Sequence, residues 1–208
     1  MVISAYIPFV DEIHFSTPTR TYTLEEINLG YAPAHAHWQD ILSASSKFAR
    51  LLRKRRLIGY GAFGVVYKVD GAAIKIGCIG ESEPAIQQWV YERHQRALPV
   101  WAFGVDIPLS KTVTREVCPH HGFLSNLWSR SSVMCHCNEP MSVLVMPVAE
   151  RADHGDVDNH RVSEQIYEAV FEKFGVSLDV HKGNFLNVNG RLMVCDFGDT
   201  NDKVADYW

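Results

Sequence analysis

The sequence predicts an α+β fold in which five antiparallel strands lie between helical segments. Short apolar runs bounded by glycine turns recur between Leu57 and Met146 and indicate strands. Two other stretches, residues 38–55 and 163–174, have the pattern of helices. With 208 residues and 47% hydrophobic content, the chain can bury a core of this size.

The first part of the chain, residues 1–56, is predicted to be a helical extension. The segment Thr23-Leu24-Glu25-Glu26 has the form of a capping box, so a short helix is expected to begin there. The apolar stripe from Trp38 to Arg55 predicts a second helix that packs on the sheet. Its basic end, Arg53–Arg56, suits the negative end of the helix dipole, and a docking patch for an acidic partner is the alternative.

The sheet is predicted from strand and turn signals in residues 57–148. A glycine turn separates the first two strands, and Asp70-Gly71 is a hairpin signal between the second and the third. A helix from about Pro84 to Arg96 precedes the fourth strand. The predicted strands are Leu57–Ile58, Val65–Val69, Ala72–Ile76, Pro99–Phe103 and Ser142–Met146.

The last part, residues 149–208, contains one predicted helix, Ser163–Phe174, and one hairpin. The turn Asn189-Gly190 joins two short strands, Phe185–Asn187 and Leu192–Cys195. We therefore expect polar residues just before and just after this hairpin to lie near each other.

Charge and hydropathy exclude some classes of function. The net charge of -4 gives no electrostatic case for nucleic acid or an anionic membrane as a partner. The sequence has no apolar run long enough to span a membrane and no basic leader at its start. We expect a soluble, cytoplasmic protein.

Three glycines, at positions 59, 61 and 64, lie in the first turn of the sheet. A hairpin without Cβ atoms can lie flat over a triphosphate and offer backbone N–H groups to its oxygens. Lys75, on the third strand, supplies a point charge for the α- and β-phosphates. The loop residues predicted to bind nucleotide are Ile58, Gly59, Tyr60, Gly61, Ala62, Phe63, Gly64 and Val66, with Val66 covering the adenine.

Polar residues around the last hairpin complete the candidate site. Asp179 and Asn184 are five residues apart, so one loop can present a carboxylate to an acceptor hydroxyl and an amide oxygen to Mg²⁺. Asp196, in Asp196-Phe197-Gly198, is the second predicted magnesium ligand. Together with the glycine turn and Lys75, these residues predict transfer of the γ-phosphoryl group of ATP.

In this order and spacing, the motifs from Leu57 to Gly198 resemble those of the eukaryotic-like protein kinase superfamily. The resemblance implies a two-lobed fold with a five-stranded small lobe, residues 57–148, an ATP cleft at the junction, and a reduced helical large lobe, residues 149–208. It also implies that Asp179 is the catalytic base and that Met146 and Val148 contact the nucleotide.

The catalytic loop departs from the usual kinase pattern at His181, where serine/threonine kinases usually carry a lysine. In this respect it is more similar to aminoglycoside phosphotransferases and to small bacteriophage-encoded protein kinases, and Lys182 is expected to substitute partly for the missing lysine. The chain ends ten residues after Gly198, without the activation segment and peptide-binding helices of a full kinase. The resemblance therefore implies a miniature kinase or a shortened chain.

The partner of Lys75 is predicted to be a carboxylate on the helix that follows it. Glu92 is our choice, because its position fits a crossing loop and about two helical turns. Glu83 lies near the helix start, where the dipole alone explains an acid. Another alignment brings Gln87 or Gln88 to the pairing position.

A Cys/His-rich insertion at about residues 105–140 separates the fourth and fifth strands. Four of its side chains would suffice for a tetrahedral structural zinc, and ordinary loop side chains are the alternative. The candidate ligands are Cys118, His120 or His121, Cys135 and Cys137.

The sequence thus predicts an enzyme, an ATP- and Mg²⁺-dependent kinase that phosphorylates serine or threonine hydroxyls of protein substrates. A small-molecule kinase, favoured by His181, and a kinase-fold binding module with little turnover are the alternatives. The intact set of Lys75, Asp179, Asn184 and Asp196 weighs against the binding module.

Overall fold

The computed structural model describes residues 31–61, 64–117, 141–152, 158–179 and 182–198, and all statements below concern these ranges. The described chain is α+β, as predicted. Its helices are α1 (Tyr31–Ser43), α2 (Ser45–Leu51), α3 (Ser82–His94), α4 (Lys111–Val117) and α5 (Asp158–Phe174), with 3-10 turns at Leu52–Lys54 and Lys182–Asn184. Its strands are β1 (Arg56–Gly61), β2 (Gly64–Val69), β3 (Ala72–Gly77), β4 (Ala102–Ile107), β5 (Met141–Pro147), β6 (Glu150–Arg151), β7 (Phe185–Val188) and β8 (Arg191–Val194).

The larger sheet has five antiparallel strands in the order β1-β2-β3-β5-β4, which confirms the predicted number and sense. The predicted hairpin turns also form. Asp70 and Gly71 have φ of 42° and 80°, and Asn189 and Gly190 have φ of 51° and 80°. Two successive positive φ values match the twist of a two-residue hairpin, and Asn, Asp and Gly adopt them most readily.

The helix predicted from Trp38 to Arg55 is interrupted. Ala44 has φ of -108° and ψ of 88°, so α1 ends before it and α2 begins after it. The hydroxyl of Ser43 donates to the carbonyl of Asp40, 3.0 Å away, a local bond that competes with the helical ladder. The apolar stripe is nevertheless buried, and Trp38 and Phe48 belong to the core.

Both α1 and the segment after β4 are fixed to the larger sheet. Residues of α1 contact β4, where a Cβ built at Gly104 would lie 3.6 Å from Leu42 Cδ1. The helix α4 is held through Glu116, whose carboxylate accepts from Arg55 Nε at 2.9 Å and from the Tyr67 hydroxyl at 2.9 Å. The sequence-predicted insertion therefore begins later than residue 105, because β4 continues to Ile107 and α4 packs on the core.

A second, three-stranded antiparallel sheet has the order β6-β7-β8 and includes the predicted hairpin. It is joined to the first part of the fold at the residue pair Ala97 and Val194, which form a parallel bridge. The amide of Val194 also donates to the carbonyl of Arg96 at 2.6 Å. The helix α5 contacts both α3 and β8, so it covers this junction.

None of the helices in the described ranges is both long and apolar enough to cross a lipid bilayer.

Loss of the Tyr67 hydroxyl should destabilise the attachment of α4. Tyr67→Phe removes a donor to Glu116, and we expect the free energy of unfolding to fall by about 1 kcal/mol at pH 7, measured by urea denaturation. Tyr60→Phe is the matched control, because Tyr60 is 53% exposed on the same sheet, and its effect should stay below about 0.5 kcal/mol.

The cost of Tyr67→Phe should also depend on pH. Burial alone would raise the pKa of Glu116, but hydrogen bonds from Arg55 and Tyr67 lower it below its ordinary value. A lowered carboxyl pKa gives stability that is present above the ordinary glutamate range and lost as the pH falls through the folded-state pKa. The cost should therefore be smaller at about pH 3.5 than at pH 7, and an equal cost at both would contradict the assignment.

Candidate functional site

The glycine strand and the predicted lysine share one face of the larger sheet. Gly59 is directly opposite Val66, Val66 is opposite Lys75, and Lys75 is opposite Leu144. Directly opposite residues of antiparallel strands point to the same face. The sheet therefore presents the glycine strand, the apolar Val66 and the charge of Lys75 side by side on one surface.

Lys75 is the meeting point of two acidic side chains that are distant in sequence. Its Nζ lies 2.5 Å from Oε1 of Glu83 and 2.9 Å from Oδ1 of Asp196. The side chains of Lys75 and Glu83 are 12% and 5% exposed, and that of Asp196 is 33% exposed. This triad connects three parts of the fold. Lys75 lies on β3, Glu83 in the first turn of α3, and Asp196 two residues after the end of β8.

The charge of Lys75 is fixed by its partners. Burial alone would lower the pKa of Lys75, but the charges of Glu83 and Asp196, and hydrogen bonds to them, raise it above its ordinary value. Lys75 is therefore a permanent cation in a site that largely excludes water. A cation of this kind can attract an anionic ligand but cannot serve as a base.

Glu92, our sequence-based choice of partner, is wrong. Its carboxylate accepts from Nε2 of Gln88 at 3.0 Å, on the side of α3 away from Lys75. The helix begins at Ser82, after a short connection from β3, so its first turn already lies over the lysine. Glu92 is nine residues beyond Glu83, which is about 2.5 turns and therefore the opposite helix face.

The two glutamines that we weighed as alternatives have structural roles instead. Gln87 donates from Nε2 to the carbonyl of Leu98 at 3.0 Å, and Oε1 of Gln88 accepts from the amide of Val100 at 3.0 Å. Both glutamines are buried. They fix α3 to the chain segment that leads into β4, and so hold the position of Glu83.

Asp196 has a strained backbone. Its φ is 65°, in the left-handed region that a non-glycine residue adopts at a cost of about 1–2 kcal/mol. The residue after it, Phe197, is fully buried, and the residue before it, Cys195, donates its amide to the carbonyl of Asn184 at 2.9 Å. These two anchors hold the turn, and strain of this kind is concentrated at functional sites.

Asp179 and Asn184 are brought together as the sequence predicts. Asn184 is buried, and its Nδ2 donates to the backbone carbonyl of Asp179 at 2.7 Å. The side chain of Asp179 is exposed. Lys182 begins the 3-10 turn Lys182–Asn184 that closes this loop, and His181 lies outside the described residues.

The glycine turn is built as expected at its base. Gly61 and Gly64 form the last pair between β1 and β2. A Cβ at Gly64 would lie 2.5 Å from the carbonyl oxygen of Ile76, so any other residue would push β2 away from β3. Ala62 and Phe63, at the tip, lie outside the described residues.

Not every predicted nucleotide-binding residue lies on the lysine face. Tyr60 is opposite Val65, one position away from the Gly59 and Val66 pair, so its side chain belongs to the other face. The side chain of Tyr60 is therefore not beside Lys75, and its contact with a nucleotide stays a prediction. Met146 does belong to the lysine face, because it is opposite Ala73, two positions from Lys75; it is buried there, and its sulfur lies 3.8 Å from Nε2 of Gln87.

The register irregularity in β1 falls at Ile58, whose side chain is 40% exposed. Val148 is partly buried and lies between β5 and β6.

The sequence analysis missed Arg151, which enters the site from β6. A Cβ built at Gly59 would lie 3.9 Å from Nη2 of Arg151. The signal available in the sequence was a basic residue four positions after the end of the fifth strand.

The predicted zinc ligands Cys118, His120, His121, Cys135 and Cys137 lie outside the described residues, so the zinc site stays a prediction. Within the described ranges, no group of three or more His, Cys, Asp or Glu side chains is arranged to hold a metal ion. Cys195 is not a candidate ligand, because burial first and then the charge of Asp196 raise the pKa of its thiol to about 12.

Comparisons with known proteins indicate no function for this chain, so a functional assignment has to rest on the residues of this site. No model of a known protein family matches the chain, and a search of curated proteins finds no significant relative.

A double-mutant cycle should detect the pairing of Lys75 with Glu83. We expect Lys75→Met and Glu83→Gln to show a coupling of about 0.5–3 kcal/mol in the free energy of unfolding, because each leaves the other's charge without its partner. The control cycle replaces Glu83→Gln by Glu92→Gln, for which the coupling should be less than about 0.5 kcal/mol. Equal couplings in the two cycles would show that the triad is not formed in solution.

Proposed function

We propose that this chain is an ATP-dependent phosphotransferase with a protein-kinase-like site that phosphorylates serine or threonine hydroxyls of proteins. The observation that carries the proposal is the convergence of Glu83 and Asp196 on the buried Lys75. In this proposal, the five-stranded sheet is the small lobe of a two-lobed fold, and α5 with the second sheet belongs to the large lobe. The cleft lies between them, beside Lys75.

The position of Lys75 suits binding of a polyphosphate. Phosphoryl transfer requires that charge on the phosphate oxygens be neutralised and that the reacting oxygens be held in line. Glu83, which is almost fully buried, fixes the long lysine side chain, so little conformational freedom is lost when Nζ binds phosphate oxygens. Gly59 and Gly61, on β1 at the edge of the same sheet, allow the close approach of the triphosphate.

The substrate would be MgATP, and Asn184 and Asp196 would hold its metal. The residues fit this role. The amide nitrogen of Asn184 donates to the carbonyl of Asp179, so the amide oxygen is the atom left to bind a metal. A backbone hydrogen bond from Cys195 to Asn184 holds the two candidate ligands in one unit. Magnesium takes such oxygen ligands together with phosphate and water, and neutralises charge on the phosphates.

Asp179 is the group in position to act on the acceptor. Its side chain is exposed while its backbone is held by Asn184, so an incoming hydroxyl can reach the carboxylate. In this role Asp179 accepts the proton of the hydroxyl as the oxygen attacks the γ-phosphorus, and the bond to the ADP oxygen breaks. Arg151, at the rim beside Gly59, adds a second positive charge near the nucleotide.

A small-molecule acceptor is the second candidate. It is favoured by His181, between Asp179 and Asn184, where serine/threonine kinases usually carry a lysine. Incubation with γ-labelled ATP and either a protein lysate or a set of hydroxylated metabolites and aminoglycosides separates the two. Label in acid-precipitable protein supports the first, and label in the soluble fraction supports the second.

Asp179→Ala should lower the rate of labelling by about 10²-fold or more, because it removes the proton acceptor. Binding of MgATP, measured by calorimetry, should persist in this variant and be weakened by Lys75→Met, which removes the phosphate-binding charge. Asp40→Ala is the matched control, since Asp40 is an exposed acid that pairs with Lys47. A rate for Asp179→Ala above about a third of wild type would exclude Asp179 as the base.

A further inference from the structure

A cavity on another part of the molecule carries three arginine side chains. It has a volume of about 680 Å³ and is lined by Arg96, Arg161 and Arg191 together with polar residues such as Gln165 and Asn189. The three arginines come from three places in the fold: the segment after α3, the helix α5 and the first residue of β8. The described residues that line it include no acidic side chain.

The positive charges in this cavity have no acidic partner among the residues that the structure describes. Within the described ranges, no carboxylate forms an ion pair with Arg96, Arg161 or Arg191. Burial and the nearby charge of Arg96 both lower the pKa of Arg191, as expected for like charges held together. A fold does not gain stability by bringing three cations to one cavity, so the arrangement indicates an anionic ligand.

Two of the three arginines, Arg96 and Arg191, are held by backbone carbonyls and keep further N–H donors. Nη1 of Arg96 donates to the carbonyl of Leu192 at 3.2 Å, and Nη2 of Arg191 donates to the carbonyl of His94 at 3.4 Å. Nε of Arg191 is buried and has no acceptor in the part of the chain that the structure describes. Each guanidinium has five N–H groups, so most of them remain for a ligand.

We propose that this cavity, termed the arginine pocket, binds a phosphate monoester. Guanidinium groups match the oxygens of phosphate in paired hydrogen bonds, and a phosphate monoester carries a charge of about -1.5 to -2 at neutral pH, more than one carboxylate. The volume accommodates the phosphate with part of the group attached to it. The ligand is either a free phosphate ester or a phosphorylated serine or threonine side chain.

Isothermal titration calorimetry on the full chain tests this with inorganic phosphate, O-phospho-L-serine, and a short phosphoserine peptide beside its unphosphorylated form. We expect the phosphate probes to bind and the unphosphorylated peptide not to bind. Arg161→Gln should weaken binding by about tenfold. Arg161 is exposed, so this change leaves the core intact, and Arg191→Gln provides a second variant of the same pocket.

Two control variants test whether phosphate binding depends on the arginine pocket and not on other cations of the protein. Arg93→Gln removes an exposed arginine of α3 that does not line the pocket, and Lys75→Met removes the cation of the ATP site. Binding should stay within about twofold of wild type in both. Tighter binding of the phosphopeptide than of phosphoserine assigns the pocket to phosphorylated protein segments, and equal binding assigns it to free phosphate esters.

Three results would overturn the proposal. They are the absence of binding by all phosphate probes at millimolar concentration, equal weakening by Arg93→Gln and Arg161→Gln, and loss of binding in Lys75→Met that is folded by circular dichroism, which would place the phosphate in the ATP site. Because Lys75→Met and Arg161→Gln act on different sites, failure of the arginine pocket and failure of the proposed ATP site can be told apart.

Discussion

The structure depends on one buried positive charge, the ammonium group of Lys75, and on the two carboxylates that surround it. A lysine with only 12% of its side chain exposed would be costly without partners, and Glu83 and Asp196 supply them. These partners belong to different elements, so the ion pairs also fix the first turn of α3 and the turn after β8 relative to the sheet. The site and the fold are therefore stabilised by the same contacts.

Much of this arrangement could be predicted from sequence because it follows local rules. Asp70-Gly71 and Asn189-Gly190 determine hairpins through backbone geometry, and β-branched runs beside them form the strands. The positions of Lys75 at mid-strand and of Asp196 after a strand follow directly. The spacing of Asp179 and Asn184 predicted a shared loop, and the bond between them confirms it.

The remaining features depend on tertiary geometry that spacing does not encode. Glu92 and Glu83 lie on opposite faces of the same helix, so the choice between them depended on where α3 begins, and helix ends are poorly determined by sequence. The break at Ala44 falls within an apolar stripe that continues past it, beside a local hydrogen bond from Ser43 to Asp40 that competes with the helical ladder. The arginine pocket could not be found at all, since Arg96, Arg161 and Arg191 meet only after folding.

A crystal structure with Mg²⁺ and a non-hydrolysable ATP analogue tests the central claim most directly. The account predicts that the triphosphate lies along β1 and β2, with a phosphate oxygen within hydrogen-bond distance of Lys75 Nζ and the pair with Glu83 retained. It also predicts that Asn184 and Asp196 bind the metal. A nucleotide bound elsewhere, or in this cleft without contact to Lys75 or Asp196, would contradict it.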